Sequence, residues 1–143
     1  VLGAMEGSGD FNVNNVARHQ LAVKGIQYQV VPMYALREFY ESLSNCEQNN
    51  AIDTVHWEEG VAFWIGSLVR ERRDGLKGQL MYTLADKRGG SFGTLDSEGV
   101  SASNNALLIA FRAGMTAIQK LDCVGIDLQI KRIRRQMIIT LIQ

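Results

Sequence analysis

Residues 103–119, SNNALLIAFRAGMTAIQ, followed after a short break by residues 126–141, IDLQIKRIRRQMIITL, decide the fold class of this chain. In the first run Leu107, Leu108, Phe111, Met115 and Ile118 recur three and four residues apart, and Ser103 is placed to cap the start. In the second, Ile126, Ile130, Ile133, Met137 and Leu141 repeat in the same way, with Gly125 standing between the two runs. Apolar residues at that period occupy one face of a helix, and such a face must be buried against other helices.

Upstream the period recurs. Trp57, Val61, Trp64, Ile65 and Leu68 form a stripe that Asp53 or Thr54 can cap. Glu58 and Glu59 lie near its start and Arg70, Arg72 and Arg73 near its end, the charge order a helix dipole favours. Residues 75–78 read as a turn, and residues 79–88 as a short helix carrying Leu80, Met81 and Leu84. The segment 89–99 has four glycines and reads as a long loop. Nearer the start, Asp10 can cap a helix to about Lys24, with Val13, Val16, Ala17 and Leu21 on one side and Gly25 as its stop. Residues 27–31 read as extended, and Pro32 suits the first turn of a further helix with Met33, Leu36, Tyr40 and Leu43 as its stripe. The polar run 44–50 ends it. The expectation is an all-α, single-domain bundle over residues 1–143, with about five to six helices and one long glycine-rich loop.

Composition narrows the function classes. Fifteen basic residues balance fifteen acidic ones, so no global field draws the chain to nucleic acid. No apolar run approaches the ~20 residues needed to cross a bilayer. The chain begins at Val1 and ends at Gln143 on an apolar, helix-like stretch, so the expectation is a trimmed start and a polypeptide that continues. Cys46 and Cys123 form no Cys-x-x-Cys pair; they can bond to one another or stay buried thiols. No Asn-x-Ser/Thr acceptor is present.

Side chains able to do chemistry are few. The two histidines, His19 and His56, limit metal and triad arrangements. His56 lies three residues from Glu59, and with Asp86 or Tyr82 the pair suits a hard cation; the plain alternative is a solvated helix start. A di-iron bundle needs Glu-x-x-His twice, and here one reversed His-x-x-Glu occurs. There is no Gly-x-Ser-x-Gly, and the Gly89-Gly90-Ser91-Phe92-Gly93 run lacks the Gly-Lys-Ser/Thr of a phosphate loop. Lys131, Arg132, Arg134 and Arg135 form the sharpest charge feature, able to dock an acidic partner or a membrane surface. Tyr34, Tyr40, Tyr82, Trp57 and Trp64 read as core or half-buried aromatics.

Residues 57–68, WEEGVAFWIGSL, resemble the W-D-E-G-V-A-F-Y-x-G-S-L signature of an algal family. It comprises the low-iron-inducible, high-CO2-inducible periplasmic proteins of green algae and the phytotransferrin-like iron-starvation proteins of diatoms. Residues 80–88, LMYTLADKR, then Phe92-Gly93-Thr94, look like its L-Y-A-L-A-D-K-R-x-x-N-F-G-T segment, and residues 136–143, QMIITLIQ, are similar to its final helix. The resemblance covers roughly residues 57–143. It implies ferric-iron assimilation at the cell surface or in the periplasm, with Fe(III) and carbonate held by oxygen ligands, for which Glu58, Glu59, Tyr82 and Asp86 are the candidates. Three departures stand out. Gly89 and Leu95 occupy positions where the family has cysteines, implying a lost disulfide, and Trp64 replaces a tyrosine.

Two readings follow. The favoured one is a non-catalytic accessory subunit of a larger algal assembly, such as a photosystem or other plastid membrane complex, peripheral to the thylakoid membrane. It would meet its protein partners through Lys131, Arg132, Arg134 and Arg135. The alternative is a ferric-iron-binding domain that keeps the family's activity. No enzyme is expected, and no nucleic-acid partner.

Overall fold

The computed structural model describes residues 2–66, 69–70, 76–77 and 80–143. It is an all-α bundle. Its last two helices are those the apolar period demands: α5 (Ala102–Gln119) and α6 (Cys123–Ile142). Leu107, Phe111 and Ile118 of α5 and Ile126, Ile130, Ile133 and Met137 of α6 are all buried. Ser101, rather than Ser103, caps α5, its Oγ accepting from the Asn104 N–H at 3.2 Å. Asp122 caps α6 by accepting from the Gly125 N–H at 2.9 Å. Leu108 and Met115 are only half-buried, and at the end of α6 Thr140 takes the inward position while Leu141 faces out.

The first half of the chain departs from the sequence reading. A five-residue helix, α1 (Leu2–Glu6), and a 3-10 turn at Gly9–Phe11 that contains Asp10 precede one continuous helix, α2 (Asn15–Asn49). Asn14 caps it by accepting from Ala17 N–H. Gly25 does not stop this helix, residues 27–31 are not extended, Pro32 lies inside it, and the polar run 44–50 carries it on to Asn49. A glycine in a helix costs only about 1 kcal/mol, and a proline about 3. The Pro32 ring is buried, so packing against the bundle offsets the lost hydrogen bond. The buried face is also different: Ala35, Phe39, Ser42, Leu43 and Cys46 point inward, whereas Met33, Tyr34 and Tyr40 are exposed. The apolar residues of 33–43 lie on two sides of the helix: of the expected stripe Leu43 is buried and Leu36 packs half-buried against the core, while Met33 and Tyr40 face out.

Helix α3 (Thr54–Ile65) is capped by Asp53, one of the two caps the sequence offered, and buries Trp57, Trp64 and Ile65. It ends earlier than expected, at Gly66 with φ +66°. Arg70 therefore belongs to a two-residue antiparallel ladder, β1 (Val69–Arg70) with β2 (Leu76–Lys77). Leu68, Arg72, Arg73, Gly75 and Gly78 lie outside the described residues, and Leu76 and Lys77, expected in a turn, form β2. Helix α4 (Leu80–Phe92) runs four residues past its expected end, through Gly89 and Gly90, so the loop shortens to residues 93–100.

Aromatic packing locks the bundle. Phe39 of α2 meets Trp57 of α3 edge-on at 4.6 Å and stacks with Phe111 of α5 at 5.6 Å. The Trp57 indole N–H donates to the Phe111 carbonyl at 3.0 Å. Two glycines allow this closeness. A Cβ on Gly60 would lie 2.7 Å from the Phe39 ring, and one on Gly114 would lie 1.9 Å from Trp57. Cys46 and Cys123 are bonded to one another across 77 residues, tying the end of α2 to the start of α6.

The cross-link closes a long loop, and loop closure is what a disulfide removes from the unfolded chain, a gain of about 2–4 kcal/mol. The Cys46→Ala/Cys123→Ala chain should therefore melt about 10 °C below the oxidised wild type, read by circular dichroism. Equal melting temperatures would show that the bond adds nothing to the bundle.

Candidate functional site

Tyr82 and Asp86, one turn apart on α4, come together with residues that the sequence reading did not single out. The centre is Asn104, fully buried on the first turn of α5. Its Nδ2 donates to the Tyr82 carbonyl at 2.8 Å and to Asp86 Oδ1 at 2.7 Å, while its Oδ1 accepts from the Trp64 indole N–H at 3.2 Å. One amide has two donor hydrogens and one good acceptor, and all are engaged. Asp86 Oδ1 also accepts from the Ser101 N–H at 2.9 Å, so this carboxylate caps the start of α5. Asp86, expected as a metal ligand, is thus already engaged in holding two helices together.

The loop 93–100 is organised by Asp96. Its Oδ1 accepts from the Glu98 N–H at 2.9 Å and the Val100 N–H at 2.8 Å, and its Oδ2 accepts from Asn105 Nδ2 at 2.7 Å. These hydrogen bonds, led by that from Asn105, hold its carboxyl below the usual carboxylate range. Burial first, then the nearby Asp86 and Asp96 carboxylates, push the Tyr82 phenol above its ordinary value. A tyrosinate here is disfavoured unless a cation offsets both carboxylates. Gly89 and Leu95, the two positions where the resembled family has cysteines, are in contact: a Cβ on Gly89 would lie 2.9 Å from a Leu95 methyl. It would also lie 2.7 Å from Ser101 Cβ, so α4 and α5 approach at a distance that only glycine allows.

Glu58 and Glu59 do not join this group. Both are exposed on α3, and they border separate depressions. Glu58 edges an apolar groove of about 540 Å³ between α3 and α5, floored by Trp57, Val61, Ile65, Phe111 and Met115, with Arg112 on its far rim. Glu59 borders a smaller one beside Tyr34, Phe63 and Leu80. Among the described residues no three of His, Cys, Asp and Glu gather where one metal ion could be held. The four-residue ligand set is therefore split, with Tyr82 and Asp86 in one place and the glutamates elsewhere. His56 does not turn to Glu59 either. Its Nδ1 lies 2.6 Å from Asp53 Oδ2, and Asn45 donates to the same oxygen. That bond, with help from Glu38 and Glu59, raises the His56 pKa above the ordinary histidine value. Burial would raise that of Asp53, but hydrogen bonds from Asn45 and His56 outweigh it and the net direction is down.

The basic residues of α6 are all exposed. Lys131 pairs with Asp127 at 2.6 Å, and Arg132 donates to Gln129 at 3.3 Å. Arg134 and Arg135 have no ion-pair or hydrogen-bond partner for their side chains among the described residues. Sequence reasoning missed Asn104 and Asp96. Asn104 did leave a signal, because it precedes Leu107 and Phe111 by three and seven residues and so falls on the buried stripe of α5. Asp96 left none, since its role depends on a loop closing over it.

Replacing Asn104 by Ala strands the Trp64 N–H, and takes from Asp86 one of its two donors, in a buried setting. The expected cost is about 2–4 kcal/mol, seen as a fall in melting temperature of about 10 °C. A shift under ~2 °C would mean the amide is not the joint between α3, α4 and α5. No protein-family model, curated protein or solved structure matches this chain.

Proposed function

We propose that this chain is a non-catalytic, helical protein-interaction subunit of a larger algal assembly, of the kind found peripheral to plastid membranes around a photosystem. The outward face of α6 carries this reading. Val124, Leu128, Lys131, Arg135, Ile138 and Ile142 follow one another at helical spacing and are all exposed. Val124 and Ile142 at the two ends are 81% and 79% accessible. Apolar side chains left in water on both sides of a basic centre suit an acidic protein partner, with charge steering the encounter and the apolar ends supplying burial. No helix among the described residues is long and apolar enough to cross a membrane, so a membrane complex would be met from its surface. The algal part of the proposal rests on the motif resemblance of residues 57–68 and 80–94.

In a native extract of its host the protein should migrate with a species several times larger than one 143-residue chain. Arg134→Glu/Arg135→Glu should release it from that species. A wild-type protein found only as free monomer would overturn the reading.

One observation favours a second reading, a ferric-iron-binding domain at the cell surface or in the periplasm. The buried Tyr82 phenol lies within electrostatic reach of Asp86 and Asp96, an all-oxygen set suited to a hard trivalent cation. Titration of the purified chain with Fe(III) in carbonate should then give saturable tryptophan quenching and a visible tyrosinate band that Tyr82→Phe abolishes. Absence of both at micromolar iron would remove this reading and leave the interaction subunit.

A further inference from the structure

Two opposite charges flank the apolar groove between α3 and α5, and the bundle uses neither. At about 540 Å³ the groove falls in the size range of sites for small ligands. Trp57, Ile65 and Phe111 floor it, and the half-buried Val61, Leu108 and Met115 form its sides. On the α3 wall Ala62 and Gly66, one turn apart, supply no bulk, so the trough stays open. Among the described residues Glu58 and Arg112 are the only charged groups lining it. Both are exposed, and neither side chain has an ion-pair or hydrogen-bond partner among the described residues. On their own helices the positions three and four residues away carry no opposite charge, so nothing local neutralises either one.

The two helices run in opposite directions. Trp57 reaches the Phe111 carbonyl and lies against Gly114, whereas Trp64, two turns further along α3, reaches Asn104. Glu58 therefore faces the Arg112–Met115 turn of α5, and both charges stand at one end of the groove. The other end, toward Ile65, Gly66 and Leu108, is wholly apolar. From Glu58 to Gly66 the trough runs about 12 Å along α3.

We propose that this groove binds a small zwitterionic amphiphile, an apolar α-amino acid or a longer-chain analogue of one. Its carboxylate sits on Arg112, its ammonium on Glu58, and its apolar chain lies along the trough. The charges at the mouth select this chemistry over simpler amphiphiles. A fatty acid satisfies Arg112 but brings a second carboxylate beside Glu58, and an alkylamine does the reverse at Arg112. An uncharged hydrocarbon dries the groove and leaves both charges at its edge without a partner. Only a head group carrying both signs complements the pair, and the guanidinium fork matches a carboxylate through two parallel hydrogen bonds. The groove is separate from the outward face of α6, so this ligand and the protein partner proposed above stand or fall independently.

The test is calorimetric titration of the purified chain at neutral pH with 2-aminooctanoate, octanoate and octylamine, which share a chain length and differ in head-group charge. 2-Aminooctanoate should bind at one site with a Kd of about 0.1 mM, the scale for a small ligand in an open groove. The other two should bind at least about tenfold more weakly. Arg112→Gln should weaken 2-aminooctanoate about tenfold and turn the preference toward octylamine, and Glu58→Gln should turn it toward octanoate. Ala62→Trp, an exposed position on the groove wall, should fill the trough and abolish binding of all three with an unchanged helical signal. No saturation by 2-aminooctanoate at about 5 mM overturns the proposal, as does equally tight binding of octanoate or octylamine. Binding that survives Ala62→Trp also overturns it, because the ligand then occupies another depression, such as that of about 440 Å³ beside α1.

Discussion

The buried side-chain amide of Asn104 is where three helices are fixed to one another. It accepts from Trp64 of α3, donates to the Tyr82 carbonyl and Asp86 of α4, and sits on the first turn of α5. In an apolar interior an unpaired polar atom is costly, so a fully engaged amide admits few arrangements of its neighbours. Apolar packing tolerates sliding by fractions of an ångström; three hydrogen bonds to one planar group do not. The register of α3, α4 and α5 follows from this, and the loop 93–100 closes over the joint through Asp96.

Around that joint the bundle is tightened by close approach. Phe39, Trp57 and Phe111 form one aromatic cluster across α2, α3 and α5, which Gly60 and Gly114 admit by lacking a Cβ. The Cys46–Cys123 bond then joins the end of α2 to the start of α6. Tyr82 and Asp86 are held by this framework as parts of it. A carboxylate that accepts from two N–H groups is already compensated, and only a strong cation would compete for it.

The surfaces tell more about function than the interior does. The outward face of α6 and the second face of α2 both present apolar side chains to water, and they differ in charge. On α6 the apolar residues flank Lys131 and Arg135; on α2 they share their face with His19 and Arg37, and Glu41 lies beside Tyr40. A basic face attracts an acidic partner.

What the sequence by itself determined is the helical class and the α3, α5 and α6 stripes, because these depend on spacing within one helix. Its motif resemblance led to Tyr82 and Asp86 as a pair one turn apart. Tertiary structure alone decided the rest. Gly25 and Pro32 read as breaks, yet the helix runs through both: a glycine costs only about 1 kcal/mol, and packing of the second half of α2 offsets the cost of Pro32. The faces of residues 33–43 could not be told apart because both carry apolar side chains. The bond between Cys46 and Cys123 required knowing where two distant helices end. The separation of Glu58 and Glu59 from Tyr82 and Asp86 likewise depends on how α3 is rotated against α4, a matter set by Asn104 and the aromatic cluster rather than by any local pattern.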